Sequence, residues 1–293
     1  MTSPTVRRSS SRNRYAAYRS GPLQKIGGVA VWLFALFCLA ALAFMIMSSF
    51  KSSKAILESP WALPDTLHLE NWAKAWNEGG LAVGFLNSVI LVVGSAIATS
   101  IVAAPAAYVL SRRVGRFGNA VIIYFVLGLG IPLQIVVLPL YSIMVKLGLI
   151  DNLFGLFVLY VVFNMPFTVF LLTGFFGTLP AELEDAAAID GLSANRAFWQ
   201  IMLPLAQGGL LTSVILNAIS AWNETFLSLM FIQSNQNFTL PLALLNYFSQ
   251  QQFTGSDYGA LFAAVSISVV PMVALYIWFG RRLTEGLVVG TGK

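Results

Sequence analysis

The chain has 293 residues, 57% of them apolar and only 10% charged, against about 25% charged in an ordinary soluble domain. Those proportions exclude a water-soluble globular enzyme and leave room for several transmembrane helices. The net charge of +5 does not mark a nucleic-acid binder, because the Lys and Arg residues sit at the ends of apolar runs and not on one polar module. One cysteine, Cys38, and one histidine, His68, exclude an internal disulfide and a Cys/His metal cluster.

Residues 1–25 carry Arg7, Arg8, Arg12, Arg14, Arg19 and Lys25, many serines and no acid. They read as a disordered, cytoplasmic basic tail. Ala41-Leu42-Ala43 resembles a signal-peptide cleavage site, but the uncharged run 26–50 far exceeds the roughly 7–15 residues of a signal core. It is read as a retained first transmembrane helix. Residues 51–80 are mixed in charge, with Pro60, Pro64, Trp61, Trp72 and Trp76, and suit an external loop with interfacial aromatics.

The runs 81–110, 117–145 and 152–179 contain no charged residue, and each can cross a ~30 Å hydrocarbon core, which needs about 20 residues. Residues 205–232 form a fifth run interrupted only by Glu224, 233–258 form a second external loop, and 259–280 end in Arg281-Arg282. Six helices follow. With the N-terminus inside, Arg112, Arg113, Arg116, Arg196, Arg281 and Arg282 all fall inside, leaving only Lys51, Lys54, Lys74 and Lys146 outside. The expected domains are a tail (1–25), a six-helix transmembrane body (26–282) and a cytoplasmic C-terminal tail (283–293). Both termini face the cytoplasm.

Between the fourth and fifth runs lies a polar island, 181–204, holding Glu182, Glu184, Asp185 and Asp190 but only one base, Arg196. Charges of this density stay outside the hydrocarbon, where each would cost several kcal/mol. Pro180 and the clustered acids suit a helix start, and Gly191 ends that helix. Ser193 can cap a second helix running through Phe198, which Leu203-Pro204 closes. The island reads as a helix–turn–helix at the cytoplasmic surface.

Polar residues within the spans are few. Glu224 is the one intramembrane acid, and fits equally a substrate path and a structural pairing. No second intramembrane acid or histidine exists to relay a proton from it. Gln134, Asn164 and Asn217 could line a cavity for hydroxyl groups; interhelical hydrogen bonding explains each one alone, at ~0.6 kcal/mol on average. Pro132, Pro139, Pro166 and Pro271 suit helices that bend. Gly94, Ser95, Ala96, Ala98, Ala103, Ala104, Ala106 and Ala107 give the second span small faces for close packing.

The order Asp185-Ala186-Ala187, Asp190-Gly191, then Ile201, Leu203 and Pro204 resembles the EAA loop of ABC importer permeases. Further matches are Asn87-Ser88, Ala106-Ala107-Tyr108, Ile131-Pro132-Leu133-Gln134, Leu138-Pro139-Leu140-Tyr141, Lys146-Leu147-Gly148-Leu149, Trp222-Asn223-Glu224, Thr239-Leu240-Pro241 and Arg281-Arg282-Leu283 with Gly286-Leu287. Together they are similar to carbohydrate-uptake permeases of the maltose-transporter type, the smaller, six-helix subunit of the pair. The ending Val289-Gly290-Thr291-Gly292-Lys293 departs from the family's usual Gly-Ala-Val-Lys-Gly.

The resemblance implies an all-α, type I ABC importer permease fold with six transmembrane helices in a prokaryotic cytoplasmic membrane. It implies a coupling-helix loop in which Glu184, Asp185, Ala186, Ala187, Asp190, Gly191, Leu203 and Pro204 meet a groove on an ATPase subunit. The family usually has Glu at the position of Asp185, whose shorter reach makes Glu184 the better placed for an ion pair with that partner. The implied partners are a second permease, two ATPase subunits and an extracytoplasmic sugar-binding protein, all in membrane lipid and without nucleic acid. ATP and Mg belong to the ATPase subunits, so this chain needs no cofactor and is not itself an enzyme. Gln134, Asn164, Asn217, Trp222, Asn223 and Glu224 are the expected substrate-pathway residues for a di- or oligosaccharide. A polyol, glycerol phosphate or polyamine importer shares these features, and a proton-coupled carrier built on Glu224 is the remaining rival.

Overall fold

The computed structural model describes residues 22–112 and 115–291, with side chains described over 25–112, 115–253 and 255–280. Most of the basic tail, Arg113 and the Gly292-Lys293 ending lie outside the described residues, as do the side chains of Arg281 and Arg282. Among the described residues there is helix and no strand.

Four helices are long and apolar enough to cross a membrane singly: α1 (Pro22–Ser48), α4 (Leu81–Arg112), α7 (Leu153–Gly177) and the outer part of α14 (Tyr258–Thr291). Between α1 and α4 lie two short outer helices, α2 (Ser53–Glu58) and α3 (Glu70–Asn77). The other two spans are bent. The third run is not one helix but α5 (Arg116–Leu129) and α6 (Leu133–Lys146), which meet at 98°. At 14 residues each, they are about 21 Å long, too short to cross singly. Pro132 forces the residue before it out of helical geometry, and Gly130, a poor helix former, has already weakened that turn. Pro139, Pro166 and Pro271, expected to interrupt their segments, lie inside unbroken helices instead.

The polar island follows α7 as α8 (Glu182–Ile189) and α9 (Ala194–Ala197). Leu203-Pro204 does not close the second helix. The chain widens into one π-helical turn at Phe198–Met202, where the Leu203 amide bonds the Phe198 carbonyl, and continues through α10 (Leu203–Leu205). A residue without an N–H is accommodated by such a turn. The direction changes at Ala206, where Ala194–Leu205 and α11 (Gln207–Trp222) meet at 71°. The fifth run breaks again at Asn223–Thr225 before α12 (Phe226–Phe231), and the second external loop contains a helix, α13 (Leu240–Thr254).

The core is arranged around α4. In its inner half Ala103, Ala104 and Ala107 are buried against Val169, Leu172 and Phe176 of α7 and against Phe198, Met202 and Ala206. In its outer half Leu91 and Val92 pack with Leu156, Leu159 and Tyr160 of α7 and with Ala221, Leu227 and Phe231. Helices in lipid gain no hydrophobic drive from meeting each other, so close backbone approach and interhelical hydrogen bonds hold them. The alanines supply the approach, and the Ser100–Ser213 hydroxyl pair at 2.9 Å supplies one such bond between α4 and α11. The small face expected on the second span is therefore its packing face. By contrast α1 is almost wholly exposed and leans on α14, with Phe44 edge-on to Phe262.

Candidate coupling loop and transport pathway

The polar island forms the expected helix–turn–helix. Gly191 sits at φ +78°, and the amides of Gly191 and Leu192 return to the carbonyls of Ala188 and Ala187 at 3.0 and 2.9 Å, closing α8. A Cβ at Gly191 would meet nothing within 4 Å, so the backbone angle and not space calls for glycine. The Ser193 hydroxyl accepts from the Arg196 amide and starts α9. Ala187 and Ala197 are buried, and Leu183, Phe198 and Met202 pack with the cluster that joins Ala103, Ala104 and Ala107 of α4 to Val169, Leu172 and Phe176 of α7. Asp185, Ala186, Ile189, Asp190, Gly191 and Pro204 face outward, and Leu203 is half-buried. Ile189 is 86% exposed, an apolar side chain on a polar helix.

The Glu184 carboxylate, half-buried, accepts from Arg112 Nε at 2.5 Å, and the same guanidinium donates from Nη2 to the Leu179 carbonyl at 3.0 Å. Glu184 is thus engaged within the chain, and the exposed acids of the loop are Glu182, Asp185 and Asp190.

The six expected pathway residues do not converge on one cavity. Asn217 is buried and exchanges hydrogen bonds with Thr168 across α11 and α7 at 2.9 and 3.1 Å. Asn164 donates to the Tyr160 carbonyl on its own helix at 2.9 Å. Gln134 is exposed in the first turn of α6. Trp222 donates to the Ser268 carbonyl at 3.1 Å, and exposed Asn223 to that of Ile219 at 2.8 Å. Trp222 and Asn223, with Thr225, edge an open groove of ≈ 770 Å³ whose remaining wall is α13 and α14, including Leu244, Phe248, Met272 and Tyr276.

Glu224 lies at the break between α11 and α12 with both carboxylate oxygens engaged. One accepts from the Leu227 amide at 2.7 Å; the other accepts from the Ser228 amide and the Tyr160 hydroxyl, each at 3.2 Å. It starts α12 as a capping residue does. Of the two roles open to this acid, the geometry shows the structural one.

The end of the bundle away from the polar island is tied together by polar residues, of which only Asn87 and Ser88 belong to a motif noted in the sequence. Lys51, 1% exposed, donates to the carbonyls of Ser59, Pro60 and Ala62 at 2.6, 3.2 and 3.0 Å, folding the first external loop around one ammonium. Asp151, at φ +53°, accepts from the Ser234 hydroxyl, from the Ser234 and Gln233 amides at 2.9 and 3.0 Å, and from Asn237. Those donors, led by the Ser234 hydroxyl, hold its carboxyl well below the usual range. Lys74 meets Asp257 at 2.8 Å, which raises the Lys74 ammonium. Burial works against the Asp257 carboxylate, but Lys74, the Ala260 amide and Ser53 outweigh it and leave it lowered. On α4, Asn87 donates to the carbonyls of Gln236 and Phe238 at 3.0 and 2.9 Å, and the Ser88 hydroxyl accepts from the Leu240 amide at 2.8 Å. The signal available in sequence was an isolated charge or amide at the outer end of an apolar run.

Comparison with known proteins supports this arrangement. Residues 96–288 match the family described as "Binding-protein-dependent transport system inner membrane component". The chain is 37% identical over 285 residues to the "Diacetylchitobiose uptake system permease protein NgcG" of Streptomyces coelicolor, covering 97% of this chain and 91% of that one. It is 31% identical over 277 residues to the "Multiple sugar-binding transport system permease protein MsmG" of Streptococcus mutans, covering 92% and 95%. A chain from the crystal structure of a bacterial ABC transporter involved in the import of the acidic polysaccharide alginate superposes with a TM-score of 0.74 at 20% identity, over 95% of this chain and 99% of that one. At that identity the likeness shows the fold alone. The family match and the length of the shared sequence establish that this multi-pass membrane chain belongs to the binding-protein-dependent transport system inner membrane components, as an ABC permease.

Proposed function

We propose that the chain is a permease subunit of an ATP-driven importer for di- or oligosaccharides, working with a second permease, two ATPase subunits and an extracytoplasmic binding protein. The relatives named for diacetylchitobiose and multiple-sugar uptake support the cargo class. The carrying observation is the α8 face bearing Asp185, Ala186, Ile189 and Asp190. It is exposed and unpartnered in this chain, with an apolar tip between two acids. A groove with an apolar floor and basic rim on an ATPase subunit is complementary to it. The Lys and Arg bias supports a cytoplasmic side for this face and both termini, with α2, α3 and α13 turned toward the binding protein. Closure of the ATPase subunits on ATP would bring the coupling loops together and turn the bundle from inward- to outward-facing. Gln134 and Asn223 are the exposed amides for sugar hydroxyls, with Trp222 as an apolar neighbour; Asn164, Asn217 and Glu224 shape the bundle.

The test is ATP hydrolysis by the reconstituted complex, with and without binding protein and a sugar panel, for wild type beside Gly191→Pro. Proline is confined to φ near −65° and cannot replace a residue at +78°. Hydrolysis stimulated by one sugar class and lost in the assembled mutant is the expected result. Uptake that proceeds with no ATPase subunit bound would sink the proposal.

A further inference from the structure

We propose that α4 is the rod through which the coupling loop and the second external loop move together, and that Arg112 is the positioning residue fastening the loop to it. This rests on the coupling role proposed above.

Both helices of the coupling loop are held by one face of α4. Arg112 spans two anchors with one guanidinium, the Glu184 carboxylate on α8 and the Leu179 carbonyl two residues beyond α7. The ion-paired side chains are 20% and 27% exposed, so water screens the pair less than one on open surface. Four residues earlier, hence on the same face, the Tyr108 ring packs on Phe198 at 5.0 Å and Phe176 at 5.6 Å. Residue 112 therefore grips the first helix of the loop and residue 108 the second. A force on α8 reaches α4 through a charge-assisted bond, not through sliding apolar contacts.

The other end of α4 is attached as firmly. Asn87 and Ser88 hold the backbone at 236, 238 and 240 with three hydrogen bonds. At Gly84 a Cβ would stand 3.1 Å from both Leu240 Cα and the Thr239 carbonyl oxygen, so the two backbones nearly touch. Between these attachments α4 is one unbroken helix, with Pro105 inside it and no bent break. From residue 87 to 112 it is about 37 Å long at 1.5 Å per residue. The third and fifth spans are bent at 98° and 71°; α7, packed along α4, is the other unbroken helix beside it. Asn87-Ser88 and Ala106-Ala107-Tyr108, which stand out in the sequence, are the two ends of this element.

The test uses the complete reconstituted transporter and reads binding-protein-stimulated ATP hydrolysis and sugar imported per ATP, normalised to assembled complex. Arg112→Gln should keep its ATPase subunits yet lose about fivefold or more in both readings, the lower end of site-to-site coupling. The exchange Arg112→Glu with Glu184→Arg should recover most of the loss, which a merely structural effect would not do. Arg112→Lys, which keeps the cation and loses the second anchor, should fall between. Asn87→Asp removes both outer donors at nearly constant shape and should lower the same readings. Combined with Arg112→Gln it should add little, because a rod detached at one end transmits nothing from the other. Wild-type coupling in Arg112→Gln, a failed exchange, or losses that simply multiply in the double variant would each overturn the rod. A wild-type complex that no sugar-loaded binding protein stimulates would overturn the importer reading, and the rod with it.

Discussion

Glu224 is where the importer and the proton-coupled carrier predict different outcomes. Glu224→Ala leaves three donors without an acceptor. Losing a helix cap costs about 1 kcal/mol, and an unpaired buried hydroxyl about 1–3 kcal/mol. Tyr160 is only 2% exposed and gains no water in exchange, so the alanine variant should lose on the order of 2–4 kcal/mol. Glu224→Gln keeps an oxygen for the Leu227 amide and lets the Tyr160 hydroxyl turn to accept. It sacrifices the 3.2 Å bond to the Ser228 amide and the charge assistance, about 1 kcal/mol. Tyr160→Phe removes a single bond and should match it. The assay is thermal unfolding of the purified complex beside sugar uptake into vesicles between pH 5 and 8. If the acid is structural, stability follows the order Gln ≈ Phe above Ala, and uptake follows the amount of folded complex. Uptake abolished in a Glu224→Gln complex of wild-type stability would refute this reasoning and revive a proton-carrying acid.

Lys51→Met should cost about 2 kcal/mol, less than three full hydrogen bonds because the freed carbonyls lie in an exposed segment and rehydrate; an unchanged melting temperature would contradict the buried ammonium. Gly209→Ala places a Cβ 2.5 Å from Cγ of the Phe175 ring, so overpacking should cost about 1–3 kcal/mol. Gly174→Ala, with nothing within 4 Å, should instead stabilise α7 by up to about 1 kcal/mol, and unfolding in mixed micelles that ranked the two alike would refute the packing argument. Because the Asp151 carboxyl is lowered in the folded chain, its contribution is complete above the unfolded value of about 3.9 and fades as pH falls through the folded one. The stability gap between wild type and Asp151→Asn should therefore be flat from pH 5 to 8 and narrow below about pH 4; a gap that changes between 5 and 8 would show that another group titrates there.

The features legible in the sequence are those that depend on local composition. The six apolar runs, the α8 helix, the Gly191 turn and the Ser193 cap all follow from residues adjacent in the chain, and the structure has each of them. What was not legible depends on partners far away. Arg112 reads in sequence as a topology marker, and only folding brings it 2.5 Å from Glu184, 72 residues later. Lys51 and Asp151 read as ordinary loop charges, because nothing local says that three carbonyls will converge on one and four donors on the other. The four prolines look alike on the page. Only Pro132 follows a Gly-x-Gly segment, Gly128-Leu129-Gly130, and there two glycines cost about 1 kcal/mol each relative to alanine, so one proline suffices to end the helix. At Pro139, Pro166 and Pro271 the helix continues through the proline.

The distribution of strong and weak contacts also bears on how such a bundle can move. Within the membrane, beside the bond from the Tyr160 hydroxyl to the Glu224 carboxylate, three of the polar links between helices join neutral groups: Ser100 with Ser213, Thr168 with Asn217 and Trp222 with the Ser268 carbonyl. Bonds of that kind average ~0.6 kcal/mol in lipid, and small residues let neighbouring backbones pass closely. Among the described residues, the ion pairs of Arg112 with Glu184 and Lys74 with Asp257 lie instead toward the two opposite ends of the bundle. In the importer proposed above, a bundle clamped at both ends of α4 and held by weaker bonds between would answer a push on the loop 181–204 by rocking whole helices. The bends at Pro132 and Ala206 are the places where the other spans would absorb that displacement, while unbroken α4 would carry it across.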